Sequence, residues 1–275
     1  MTEQLYADPK SVDNIEDCYF YHRMELPGHG VVEGDWDIHD AVDAYLGNLD
    51  FSGKRVLDVG SASGYLTFEM EKRGADVVSF DMSSGNSWNL VPHVEVQRDE
   101  VAIREQCRAI HQQLVNSYWL SHRALDSKAK VHYGDVYNLP VELGGFDIVF
   151  MGMILPHLRD PFQALYSASR LCREKLVINV VKASGLTQFF SRSSKAKFLP
   201  STKNGIRDIW WKLSPACLES MLGVLGFEVR QQVRSDATCS VPGNRKTKKC
   251  VTLVAHRVAG QCAGLDVASR ASRAA

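Results

Sequence analysis

The chain has 275 residues, 45% of them hydrophobic, with 32 basic side chains balanced by 32 acidic ones. At this length that apolar share suffices to bury a core, which excludes an intrinsically disordered chain. Neutrality excludes a global field that would draw the protein to polyphosphate or anionic lipid, so nucleic-acid binding would need a local patch.

Met1 to Lys10 shows no basic run followed by an apolar stretch, and the most apolar segment, Leu176 to Val181, falls far short of a membrane span. A soluble cytoplasmic protein is therefore expected. The seven cysteines, Cys18, Cys107, Cys172, Cys217, Cys239, Cys250 and Cys262, form no C-x-x-C pair. Their odd number fits neither a disulfide framework nor a zinc knuckle, so reduced thiols and no metal are expected.

Residues 1 to about 50 exceed what an α/β sheet needs and are read as an N-terminal lid segment. A domain follows over 51–258, beginning with a buried strand at Arg55 to Val59. Tyr65 to Arg73 carries Leu66, Phe68 and Met70 on a short helix that Gly74 closes. Further strands are predicted at Asp76 to Phe80, Lys130 to Tyr133, Phe146 to Met151 and Lys175 to Val181. The span between the second and third of these strands is too long for a simple crossover. An insertion at about 84–115 is read there as a second lid, with one or two helices over Asp99 to Asp126. Ser214-Pro215 is an N-cap with a first-turn proline, and Leu218, Met221, Leu222 and Leu225 recur at helical spacing up to Gly226. Phe227 to Val233 and Cys250 to His256 read as an antiparallel edge hairpin, and 259–275 as a flexible tail. The fold class is α/β: a Rossmann-like, seven-stranded, mostly parallel sheet with an edge hairpin and helical lids.

Chemistry concentrates at Arg55-Val56-Leu57-Asp58-Val59-Gly60-Ser61-Ala62-Ser63-Gly64, a strand running into a small-residue turn that opens a helix. Glycines let a ligand approach the backbone, and the helix start offers free N–H groups. Asp81 stands 21 positions after Gly60 at a strand end, where an acid can accept both hydroxyls of a ribose. The loop lacks the G-x-G-x-x-G dinucleotide pattern, so NAD is disfavoured.

D-V-G-S-A-S-G, with F-D-M and G-D-V-Y-N-L-P further on, resembles the motifs of class I S-adenosylmethionine-dependent methyltransferases over roughly residues 50 to 260. That family's loop usually has a third glycine where Ala62 stands. The resemblance implies S-adenosyl-L-methionine as cofactor, with Gly60 and Gly64 along its methionine part, Asp81 on the ribose and Asp135 with Val136 beside the adenine. Asp58, Ser61, Met82 and Met151 complete the implied cofactor set. Residues 146–165, and Tyr19 to Gly28 upstream, resemble the branch of tRNA wobble-uridine carboxymethyltransferases, which also holds many small-molecule enzymes. Those tRNA enzymes hold a carboxylated cofactor with a tyrosine where Pro156 stands, which favours the ordinary cofactor here.

His157, just past the fourth strand, is either a general base or a residue that holds its loop, and His22 in the lid is a second candidate base. His132, inside a strand, reads as structural. Tyr21, Trp36 and Trp88 are candidate substrate contacts, because aromatic faces bind planar groups and sulfonium cations. Arg192, Lys195, Lys197 and Lys203, and Arg245, Lys246, Lys248 and Lys249, are the basic clusters, and such runs are usually solvated loops. The reading is methyl transfer to an O, N or S atom of a small metabolite, with no membrane partner. The alternative is a tRNA-modifying methyltransferase acting on wobble uridine. Neutral charge disfavours nucleic acid without excluding it, and a homodimer is left open.

Overall fold

The computed structural model describes residues 4–83, 100–181, 193–201, 203–204, 208–241 and 244–258. In chain order the strands are β1 (Met24–Leu26), β2 (Gly30–Val32), β3 (Trp36–Asp37), β4 (Arg55–Val59), β5 (Asp76–Met82), β6 (Lys130–Gly134), β7 (Phe146–Gly152), β8 (Cys172–Val181), β9 (Ala196–Phe198), β10 (Trp211–Leu213), β11 (Phe227–Val241) and β12 (Asn244–Arg257). The helices are α1 (Val42–Tyr45), α2 (Tyr65–Lys72), α3 (Glu100–Ala124), α4 (Pro161–Ser169) and α5 (Pro215–Val224). None of them is long and apolar enough to cross a membrane.

The central sheet runs β3-β11-β12-β8-β7-β4-β5-β6, parallel from β8 to β6 and antiparallel from β8 outward to β3. Val56, Leu57 and Val59 of β4 are fully buried, as a strand covered on both faces must be. One face packs on α4 and α5 through Leu165, Ala168, Leu218 and Leu222, and the other on α2 and α3 through Phe68, Met70, Tyr118 and Trp119. Ser214 caps α5 by accepting from Cys217 N, with Pro215 following, as its sequence predicts.

Eight strands are present where seven were expected. The eighth is β3, whose Trp36 and Asp37 pair with Cys239 and Thr238 of β11. The hairpin is also longer than predicted, because its outer half carries Arg234, Asp236, Lys246 and Lys248 and so lacks the apolar alternation that marks a strand. Insertion residues 84–99, with Trp88, and the tail 259–275 lie outside the described residues. Within the expected Asp99 to Asp126 stretch one helix, α3 (Glu100–Ala124), is described, and its apolar stripe fails at the start: Val101 is 72% exposed while Trp119 and Leu120 are buried.

The N-terminal segment crosses one face of the sheet from edge to edge. Ala7 N donates to Val131 O on β6, and Tyr19 N donates to Gln113 O on α3. Tyr21 N and His22 N both donate to Ser63 Oγ in the turn after β4 (3.2 and 3.4 Å), and β3 then joins the opposite edge. Phe20, Met24, Leu26 and Ile38 are buried on this path, each worth about 1.5–3 kcal/mol of apolar burial. The segment is thus a layer of the core as well as a cover. His132 has a structural setting: its Nδ1 bonds Leu5 O at 2.6 Å and its ring stacks on Phe80.

Candidate functional site

After β4 the backbone takes three left-handed steps, at Gly60 (φ +85°), Ala62 (φ +48°) and Gly64 (φ +88°), before α2 begins. Gly60 N donates to Phe80 O, tying the turn to β5. A Cβ on Gly60 would sit 2.8 Å from Ile154 Cδ1, so the protein itself fills the space that a side chain would need. Ala62 replaces a glycine at small cost because its N–H, in this conformation, donates to Asp81 Oδ2 at 2.7 Å.

Asp81, the penultimate residue of β5, locks that turn. Its Oδ2 also accepts from Ser61 Oγ (3.4 Å), and its Oδ1 accepts from Met82 N (2.7 Å). Two carboxylate oxygens offer about four lone-pair sites, so this partly exposed group can still accept from a ligand. Asp135 is exposed at the end of β6 and accepts from Tyr137 N (3.0 Å), holding the turn that contains partly buried Val136. Glycine turn, Asp81 and Asp135 thus stand side by side at the carboxyl ends of β4, β5 and β6, where open α/β sheets bind ligands.

Asp58 lies beneath the turn, 2% exposed. Thr67 Oγ1 donates to its Oδ2 at 2.6 Å, and the chain of hydroxyls continues through Ser79 to Tyr118. Burial pushes the carboxyl up to about 7, the Thr67 bond opposes this, and the Asp81 charge adds to it. Between about pH 4 and pH 7 the folded state therefore binds the extra proton, so the Asp58 contribution to stability falls as pH rises through that window. Asp58→Asn removes this slope. Its stability relative to the parent is expected to grow by a few kcal/mol between pH 4 and 7.5 in denaturant titrations. An unchanged difference across that range would contradict the buried-carboxyl assignment.

A cleft opens over the turn. Tyr21, His22, Trp36, Ile38 and Tyr45 form the wall from the N-terminal segment, and Asp58, Gly60, Ser61, Ala62, Leu66, Gly152 and Met153 form the rest. His22 meets Tyr21 edge-on (centroids 5.0 Å apart) and lies 5.6 Å from the Tyr65 ring. Its Nδ1 is buried with no hydrogen-bond partner among the described residues. Burial, with His39 adding to it, holds the imidazole down to about 3, so it is neutral at physiological pH. Burial likewise pushes the Tyr21 phenol up to about 12.

The structure brings together Asp58, Gly60, Ser61, Tyr21, His22 and Trp36 from the sequence-predicted set. Gly64 lies at the start of α2, and Asp81, Met82, Asp135 and Val136 lie along the adjoining strand ends. Met151 lies outside the cleft. The strand's two-residue period turns its side chain into the core with Leu165 and Leu176, and Gly152 and Met153 reach the cleft instead. His157 is not among the cleft residues; its Nδ1 donates to Asp208 O at 2.7 Å. Sequence reasoning missed Ile38, Tyr45, Leu66 and Met153, which stand outside any motif. Met153 betrays itself only by its φ of +56°.

Residues 36–232 match the model of the methyltransferase domain family, and the chain belongs to that family. It is 28% identical over 201 residues to the tRNA U34 carboxymethyltransferase of Idiomarina loihiensis, covering 72% of this chain and 52% of that protein. It is 25% identical over 187 residues to the ubiquinone biosynthesis O-methyltransferase of Psychrobacter arcticus, covering 67% and 63%. The chain thus spans between about half and two thirds of these curated relatives. The fold is shared with the PH0226 protein of Pyrococcus horikoshii OT3, at 15% identity and a TM-score of 0.52, over 80% of this chain and 89% of that one.

Proposed function

We propose that the chain transfers a methyl group from S-adenosyl-L-methionine to a small-molecule acceptor. The observation that carries this is the Asp81 carboxylate, which locks the glycine turn and keeps lone pairs free at the strand ends. The residues present fit the cofactor: Asp81 suits a ribose diol, Asp135 and Val136 an adenine, and the aromatic wall of the cleft a cationic sulfonium. When bound, the cofactor supplies an electrophilic methyl group. The chain's own work is then to align the acceptor and exclude water, which the N-terminal segment does by roofing the turn through Ser63.

His157 is assigned a positioning role. It ties the segment after β7 to Asp208, and Trp210 N reinforces this by donating to Pro156 O (2.8 Å). His157→Ala is expected to raise the acceptor KM by up to about tenfold while leaving kcat nearly unchanged and the pH profile unaltered. A kcat loss of about 10² or more, with an altered pH profile, would instead make it a general base.

The tRNA reading is favoured by the Idiomarina relative and by the exposed Arg245, Lys246, Lys248 and Lys249 on the hairpin. Incubation with methyl-labelled cofactor, a metabolite extract and bulk tRNA decides between them. Label in the small-molecule fraction supports the proposal; label in tRNA, with a steep salt dependence, overturns it.

A further inference from the structure

Building on the proposed methyl transfer, we infer that the acceptor is an uncharged, flat aromatic compound whose hydroxyl group donates a hydrogen bond to the His22 imidazole. Three features of the cleft converge on that class. Its wall presents the rings of Tyr21, Trp36 and Tyr45, which favour a planar partner over a flexible chain. Among the described residues no lysine or arginine lines it, so a carboxylate or phosphate on the acceptor would meet no counter-charge from them. His22 has no side-chain hydrogen bond within the described residues, although its ring is buried in that wall.

A buried imidazole without a partner is costly, and a ligand that completes it recovers that cost. A thioether offers no donor. An ammonium would turn to Asp58, but that carboxyl is already held by Thr67 and is only partly ionised near neutral pH. A hydroxyl is the group that the site lacks. During transfer the hydroxyl oxygen gains the methyl carbon, the carbon–sulfur bond breaks with its electron pair left on sulfur, and the hydroxyl proton passes to His22 and then to water. The oxygen becomes strongly acidic as the new bond forms, so even an imidazole held far below its usual basicity can take that proton.

The test uses four probes of one shape: 2-naphthol, 2-methoxynaphthalene, 2-naphthylamine and decahydro-2-naphthol. Each is titrated into the full chain with and without S-adenosylhomocysteine, followed by calorimetry and tryptophan fluorescence. 2-Naphthol should bind at least tenfold more tightly than the methoxy and decahydro compounds. His22→Phe, which keeps the ring packing, should erase the preference for naphthol over its methyl ether while leaving S-adenosylhomocysteine affinity within about twofold. His22→Gln, which retains an acceptor, should keep part of it and guards against misfolding of the first variant. Wild type that prefers the amine, or does not distinguish naphthol from its ether, overturns the inference. If S-adenosylhomocysteine fails to bind but the naphthol preference persists, methyl transfer falls and the hydroxyl site stands. If the cofactor product binds and the preference is absent, the reverse holds.

Discussion

Gly64→Val is expected to lower the unfolding free energy by about 3 kcal/mol or more, and to abolish binding at the turn in whatever protein still folds. At φ +88° a β-branched side chain is strained before any contact is counted. The new Cβ would also stand 2.5 Å from Phe68 Cε2 and 2.8 Å from Tyr118 Cδ2. Neither ring can give way cheaply: both are buried, and they pack on each other at 5.3 Å. Tyr118 further anchors the hydroxyl chain through Ser79 and Thr67 to Asp58, so displacing it unpairs buried polar groups. Denaturant titration measures the loss. A midpoint equal to that of the parent would show that the turn has slack which the packing denies.

Asp81→Ala carries the next largest effect, a weakening of S-adenosylhomocysteine binding by about 1.5–3 kcal/mol, or roughly 10- to 150-fold. Two losses contribute to it. The ribose loses its charge-assisted acceptor, and Ala62 loses the carboxylate that compensates its left-handed backbone. Asp81→Asn separates them, because the amide oxygen can still accept from Ala62 N while its NH₂ cannot accept from a hydroxyl. The asparagine variant should therefore keep the Ala62 bond, lose only the Met82 one and so destabilise the turn less than alanine does, while still losing affinity. Equal affinity in all three proteins would remove the ribose assignment.

The parts of this site that were legible in the sequence are those where backbone geometry demands particular residues. Gly60 and Gly64 announce a turn that other residues resist, Asp81 follows at one βα repeat, and Ser214-Pro215 marks a helix start by its own chemistry. What was not legible depends on tertiary register. β3 is two residues long and has no period to detect, yet it adds a strand and brings Trp36 to the cleft. Met151 and Gly152 are adjacent in sequence, and only the pleat decides which of them meets the core. His157 and His22 looked alike as candidate bases. Packing separates them, placing one imidazole on a backbone carbonyl and the other, unpartnered, in the cleft wall. The N-terminal segment read as a lid by its excess length, but its burial of Phe20, Met24 and Leu26 depends on contacts with α3 and the sheet that no local pattern encodes.

The most direct measurement is a calorimetric titration of S-adenosylhomocysteine into the 275-residue wild-type chain. A saturable site with a stoichiometry of one per chain is expected, and a thermal midpoint that rises with ligand concentration as linkage requires. Absence of heat and of any thermal shift at millimolar ligand, in a chain that unfolds cooperatively, would contradict the assignment of the Gly60–Asp81 site to this cofactor.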